Sequence, residues 1–334
     1  MYNIIKRLRG GTINKNILKK ILAFFVIIGT LTWGGIVIVF TFFLWASLYI
    51  INLLRKKLPI DAYDFRGPYT YTYKTEGKLQ LKMDIYYPKN HNKEKLPVIF
   101  FAHGGGWVSG FRNQPNNVSW CKFIASKGFA VVSIDYRFGI SHTMDEILSD
   151  YTDALNFIKK NAQKLYFDKN NIILMGLSAG GHLSLLYYSY NTFLKKKDKI
   201  SGIKGVIAYY APSDLMDLFD KNVKSVFAKV AVTATLKGLP VKEKTGKYLY
   251  YSPIFWINEN MNPVLLVHGK EDKVVPFSSS VKLYKKLKEK GVKVKFFVHK
   301  YGDHGFEFEN NDIQTIKILN ETIKFMRGLI KNEG

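Results

Sequence analysis

One cysteine, Cys121, stands in 334 residues, so no internal disulfide can form and a disulfide-stapled scaffold is excluded. Acidic residues are also scarce. There are 26 Asp and Glu against 50 Lys and Arg, a formal net charge of +24. Such a balance raises nucleic acid or an anionic membrane as partner. No zinc-finger spacing, RNP-like aromatic motif or second basic tail occurs, which argues against nucleic acid. Lys195–Lys197 and the lysine-rich stretch 282–295 read as solvated faces. No G-x-x-x-x-G-K-[ST] occurs either, which disfavours a phosphate loop. Hydrophobic content of 47% and charged content of 23% exclude a disordered tail and a collagen-like rod.

Charge is absent altogether from Ile21 to Leu54, a run of 34 residues. A membrane-spanning helix needs about 20, and a signal-peptide core has only about 7–15. No soluble fold commonly hides so long an uncharged run. It is read as one tilted transmembrane anchor, with Trp45 and Tyr49 suited to the interface. The alternative is a helical hairpin turning at Gly34–Gly35. The flanking cations are Lys6, Arg7, Arg9, Lys15, Lys19 and Lys20 before the run, and Arg55, Lys56 and Lys57 after it. Their bias favours a cytoplasmic N-terminus. A single pass then puts the rest of the chain outside the cell membrane; a hairpin leaves it inside.

After a linker at 55–66, short apolar runs alternate with amphipathic stretches. Tyr69–Thr75 and Leu79–Tyr87 read as a hairpin turning at Gly77. Pro97–Ala102, Phe129–Tyr136, Asn171–Leu177, Ile203–Tyr210 and Pro263–His268 read as strands buried on both faces, and Lys293–His299 as a more lopsided strand near the end. Helical periodicity runs over Asp145–Leu165, Val281–Leu287 and Ile313–Leu329. This alternation predicts an α/β domain over 67–334, with a mostly parallel central sheet flanked by helices. About fifty residues, 216–262, separate two strands, with a helix expected near Asn222–Leu236. The excursion is read as a small cap over the site; an ordinary surface excursion is the alternative.

The strongest chemical signal is Gly176-Leu177-Ser178-Ala179-Gly180, directly after a strand. A nucleophilic serine must stand on a sharp, strained strand-to-helix turn with its Oγ exposed. Side chains two residues either side would collide, which accounts for Gly176 and Gly180. The second signal is His103-Gly104-Gly105-Gly106-Trp107, at the end of another strand. Glycines there let backbone N–H groups approach a developing oxyanion.

A serine nucleophile needs a base, and the base needs an orienting acid. His304 lies in a Gly-flanked loop after the last strand. Asp272 lies in the loop after the preceding one, in His268-Gly269-Lys270-Glu271-Asp272. The order Ser178, Asp272, His304 is that of α/β-hydrolases. Glu271 and Asp303 compete for the acid position; Asp303 would have to bend back on its own loop. His91, His142 and His299 suit surface or core roles, and His182 would pack beneath the nucleophile.

Taken together, HGGGW, Asp135-Tyr136-Arg137, GLSAGGH, HGKEDKVVP and DHGF resemble an α/β-hydrolase serine esterase or lipase over roughly residues 78–330. The nearest likeness is to bacterial carboxylesterases of the feruloyl and acetyl-xylan esterase type, with kynurenine formamidases as relatives. Leu177 and the HGKED segment depart from the hormone-sensitive-lipase pattern.

The resemblance implies Ser178 as nucleophile, His304 as base and acid, and Asp272 as orienter. It implies Gly104, Gly105 and Ala179 as oxyanion donors. His103, Gly106, Trp107, Gly176 and Gly180 support the site, as do Asp135 and Arg137. No metal or cofactor is required. The expected substrate is a small carboxylic ester, with the anchor favouring a lipid-like one. An amidase or peptidase on the same triad and a catalytically inactive tethered module are the rival readings.

Overall fold

The computed structural model describes residues 15–32, 40–44, 47, 56–91, 94–241, 243 and 245–330. The chain divides after Lys56 into two compact units. In the first, helix α1 runs Lys15–Thr32. It starts inside the basic segment, so the sequence boundary at residue 20 is not a structural break. Among the described residues no helix is long and apolar enough to cross a membrane. The uncharged run expected to span one lies only partly within them: 33–39, 45–46 and 48–54 are outside the described residues.

The second unit is built on one eight-stranded sheet. In chain order its strands are β1 Phe65–Glu76, β2 Leu79–Pro88, β3 Leu96–Ala102, β4 Ala130–Ile134, β5 Phe167–Leu177, β6 Ile203–Tyr209, β7 Val264–Gly269 and β8 Val294–His299. Their spatial order is β1-β2-β4-β3-β5-β6-β7-β8. The β1–β2 hairpin is antiparallel and β2 pairs antiparallel with β4; every other pairing is parallel.

The helices of this unit are α2 Pro115–Ala125, α3 Met144–Lys160, α4 Ala179–Phe193, α5 Lys197–Ile200, α6 Val226–Leu236, α7 Thr245–Tyr250, α8 Phe277–Glu289 and α9 Ile313–Ile330. Local chemistry sets several of their ends. Thr143 and Glu146 form a reciprocal capping box that opens α3. Ser225 accepts the Ala228 N–H and opens α6. Pro115, at the first turn of α2, has no N–H to leave unpaired.

Two apolar layers sandwich the sheet, which is why its strands read as unbroken apolar runs. On β3, Val98, Phe100 and Ala102 face a core completed by Tyr151, Leu155, Leu183 and Leu283. Ile99 and Phe101 face the opposite core, with Trp120, Phe123, Ile323 and Met326. The period of two thus buries every residue of a central strand. Parallel order then brings the carboxyl ends of β3, β5, β7 and β8 to one edge, where an α/β sheet presents its site.

Segment 216–262 forms a helical excursion beside that edge, with α6 opening at Val226 rather than Asn222. Three other expected boundaries shift. β5 begins at Phe167, because Leu96 and Pro97 pair with Phe167 and Asp168. α3 ends at Lys160, and α8 begins at Phe277, immediately after Pro276.

Candidate active site

Ser178 sits between the end of β5 and the start of α4 with φ 51° and ψ −116°, a region that side-chain-bearing residues seldom occupy. The turn is fixed at both ends. Ser178 N–H donates to the Tyr209 carbonyl at 2.8 Å, and its own carbonyl accepts the His182 N–H at 2.9 Å. The glycines on either side are required sterically. A Cβ on Gly176 would lie 2.1 Å from the Gly180 carbonyl carbon, and one on Gly180 would lie 2.1 Å from the Ala102 carbonyl oxygen.

The three residues expected to form a triad come together. His304 Nε2 lies 3.0 Å from Ser178 Oγ, and His304 Nδ1 lies 2.7 Å from Asp272 Oδ2. A carboxylate only accepts, so Nδ1 carries the proton and Nε2 accepts from the serine hydroxyl. Burial favours the neutral imidazole, but the Asp272 carboxylate overrides it and raises the affinity of His304 for a proton. Burial likewise opposes charge on Asp272. The facing His304 and His268 outweigh it and hold this carboxyl well below the usual range.

Asp272 prevails over its neighbours for geometric reasons. Its Oδ1 accepts the N–H groups of Val274 and Val275, both at 2.8 Å, which aims Oδ2 at the histidine. Asp303 is occupied elsewhere: it accepts the Lys273 N–H at 2.9 Å, the Lys273 ammonium at 2.8 Å and the His304 N–H at 2.7 Å. Glu271 is exposed.

The glycine loop after β3 lies against the nucleophile. A Cβ on Gly104 would lie 3.2 Å from the Leu177 carbonyl and 3.5 Å from Ser178 Cβ, so the missing side chain permits the approach. Gly105 has φ +121° and folds the loop back: its carbonyl accepts the N–H groups of Val108 and Ser109. Gly106 faces Phe227 and Ala231 of α6. Ala179 opens α4, so its N–H belongs to the first turn, which has no intrahelical partners.

The supporting residues are buried behind this loop. His103 stacks on Tyr136 with ring centres 4.2 Å apart, and the Tyr136 hydroxyl donates to the His103 carbonyl at 2.8 Å. Burial pushes the His103 imidazole down to about 4, so it is neutral near pH 7, with Nδ1–H donating to the Gly104 carbonyl. Trp107 lies edge-on to buried His182. Asp135 accepts from Arg112, and Arg137 forms a two-bond clasp with Asp150. These last four sit around the site rather than in it.

Sequence reasoning missed several neighbours. His268 Nε2 lies 3.0 Å from Asp272 Oδ2 and 3.1 Å from the Val275 carbonyl, while its Nδ1 meets Ser280 Oγ at 2.7 Å. Two acceptors at Nε2 place a proton there. The spacing of four between His268 and Asp272 was the available signal. Glu307, fully buried behind His304, and Gly110, whose Cβ would lie 2.4 Å from the Gly104 carbonyl, left no pattern in the sequence. Among the described residues no group of three or more His, Cys, Asp or Glu could hold a metal ion.

A family model described as BD-FAE matches residues 83–287. Among curated proteins, the probable isoprenylcysteine alpha-carbonyl methylesterase ICME of Oryza sativa subsp. japonica is 27% identical over 235 residues, 67% of this chain and 55% of that protein. Esterase LipC of Mycobacterium tuberculosis is 26% identical over 214 residues, 62% and 52% of the two chains. The chain thus spans about half the length of these relatives. Two solved structures share the fold. A truncated carbohydrate esterase from gut microbiota has a TM-score of 0.67 at 21% identity, over 82% of this chain and 99% of that one. Esterase Est2 of Thermogutta terrifontis has 0.64 at 23%, over 80% and 95%. Since the family model takes in more than half of the residues, this chain belongs to the BD-FAE family, within the α/β-hydrolase serine esterases.

Proposed function

We propose that the protein hydrolyses carboxylic esters through an acyl-enzyme on Ser178. The observation that carries this reading is the unbroken hydrogen-bond chain from Ser178 Oγ through His304 to Asp272. His304 Nε2 takes the serine proton as Oγ attacks the ester carbonyl. The imidazolium formed is stabilised by Asp272, which stays ionised. The tetrahedral oxyanion is met by the Ala179 amide and those of Gly104 and Gly105, each such donor supplying about 2.7–4 kcal/mol of barrier lowering. His304 then protonates the departing alcohol, and water repeats the cycle on the acyl-enzyme.

The similar proteins named as esterases support ester over amide substrates. The uncharged run 21–54 supports attachment to the cell membrane, and its cationic N-terminal flank supports an outward-facing catalytic unit.

The test is hydrolysis of p-nitrophenyl esters from acetyl to palmitoyl by the detergent-solubilised full chain and by Ser178→Ala. An active parent and a variant slower by about 10⁴–10⁶-fold are expected. A folded parent that neither turns over any ester nor reacts with a fluorophosphonate overturns the reading.

A further inference from the structure

Helix α6 is apolar on both sides. Ala228, Ala231, Val232, Thr235 and Leu236 are buried against the domain. Yet Val226, Phe227 and Val230 point outward, 71%, 50% and 60% exposed. A surface helix of a water-soluble domain normally turns polar side chains that way. The apolar surface continues through exposed Leu239 and Val241, and through Phe138 and Ile140 of the loop after β4.

These segments are tied into one rim. The Lys237 ammonium donates to the carbonyls of Gly139 at 2.7 Å and Ile140 at 3.1 Å. The Gly139 N–H donates to the Trp107 carbonyl at 2.8 Å. Phe227 and Ala231 pack so close to Gly106 that a Cβ there would lie 3.0 Å from each. The rim therefore borders the glycine loop beside Ser178.

Its charge is mostly positive. Among the described residues, Lys221, Lys224, Lys229, Lys237 and Lys247 stand against Asp220 and Glu243. Exposed Lys221 and Lys224 stand just before the N-terminus of α6, whose first turn has no acidic residue. That end of a helix favours anions, so these cations do not serve the helix itself. Outward aliphatic and aromatic side chains fringed by lysines match acyl chains bordered by anionic headgroups.

We propose that this rim docks the catalytic unit on an anionic lipid surface, so that Ser178 draws lipophilic esters directly from the bilayer. The substrate half rests on the ester-hydrolase reading above; the docking half does not.

The experiment uses the full chain in vesicles of phosphatidylcholine, with and without phosphatidylglycerol. Val230→Cys carries an environment-sensitive fluorophore; the native Cys121 is fully buried and stays unlabelled. The expected result is a blue-shifted emission, quenched by brominated acyl chains, in anionic vesicles and weakened in high salt. Val226→Ser/Val230→Ser with Lys221→Gln/Lys224→Gln should lose at least tenfold in turnover of a vesicle-embedded long-chain ester, and keep turnover of soluble p-nitrophenyl acetate. An emission that stays aqueous on anionic vesicles overturns the proposal. So does a blue-shifted emission that brominated acyl chains do not quench, which would mean that protein covers the rim. If no ester of any kind is hydrolysed, the ester reading fails, while the fluorophore still decides the docking.

Discussion

The hydroxyl of Tyr210 donates to Oε1 of Glu307 at 2.6 Å. This pair lies directly behind the base, for the Tyr210 ring centre is 4.5 Å from that of His304. Trp120 Nε1 also reaches Oε1, at 3.3 Å, while Oε2 has no partner among the described residues. Burial pushes the Glu307 carboxyl up to about 7.

A raised acid stabilises the fold while protonated and loses that contribution as pH climbs through the folded value. Stability of the parent relative to Glu307→Gln should therefore fall between roughly pH 4.5 and 7, by on the order of 3 kcal/mol. Denaturant midpoints at pH 5 and pH 8 for both proteins measure this. A difference that does not change with pH would mean that the carboxyl ionises as if in water.

Asp272→Asn keeps the shape of the acid but lets His304 adopt the wrong tautomer. The expected loss in kcat is about 10⁴-fold. The kcat/KM profile rises with pH as His304 loses its proton, and Asp272 is what overrides burial to hold that proton. The limb of the variant should therefore move to lower pH. An unmoved limb would remove Asp272 from contact with the base.

His268 positions rather than reacts. Removing it by His268→Ala frees one oxygen of Asp272 from its second partner, and a displacement of 1 Å at a reacting group can cost about 10²-fold. The expected signature is kcat lower by about 10–100-fold with KM little changed, partly restored in His268→Gln. Titrating the active sites with a fluorophosphonate separates this from a loss of folding, because a lowered active fraction also lowers apparent kcat at unchanged KM, whereas kcat per labelled site then stays at the parent value.

Two glycines should respond oppositely to alanine. Gly180→Ala drives a Cβ into the Ala102 carbonyl, so the turn carrying Ser178 must open, and fluorophosphonate labelling should vanish. Gly328, within α9, has open space where its Cβ would be. Alanine there should stabilise by about 0.5–1 kcal/mol, read as a raised Tm.

What could be read from the chain before its structure follows from physical range. Strands buried on both faces announce themselves residue by residue, as Val98–Ala102 does. The triad was legible because each member sits in a loop with its own glycine signature. Glu307 was not, since it works through side chains distant in sequence, meeting Trp120 across 187 residues; His268 was passed over although Asp272 lies only four residues on, because it falls at the end of the apolar run of β7. The start of β5 was hidden because Asp168, Lys169 and Asn170 are polar: Phe167 and Asp168 pair with Leu96 and Pro97, and the ladder then breaks register before the apolar run resumes at Ile172. The outward face of α6 was masked by the opposite problem, since apolar letters in a helix read as core.

The separation of the site residues has a use at the bench. Ser178 leaves β5 in the middle of the sheet, and His304 follows β8 at its edge, 126 residues further on. A chain that has assembled only its central strands holds a serine without a base. An active-site label would therefore count finished molecules, and its rate of appearance during refolding would time the docking of the last strand.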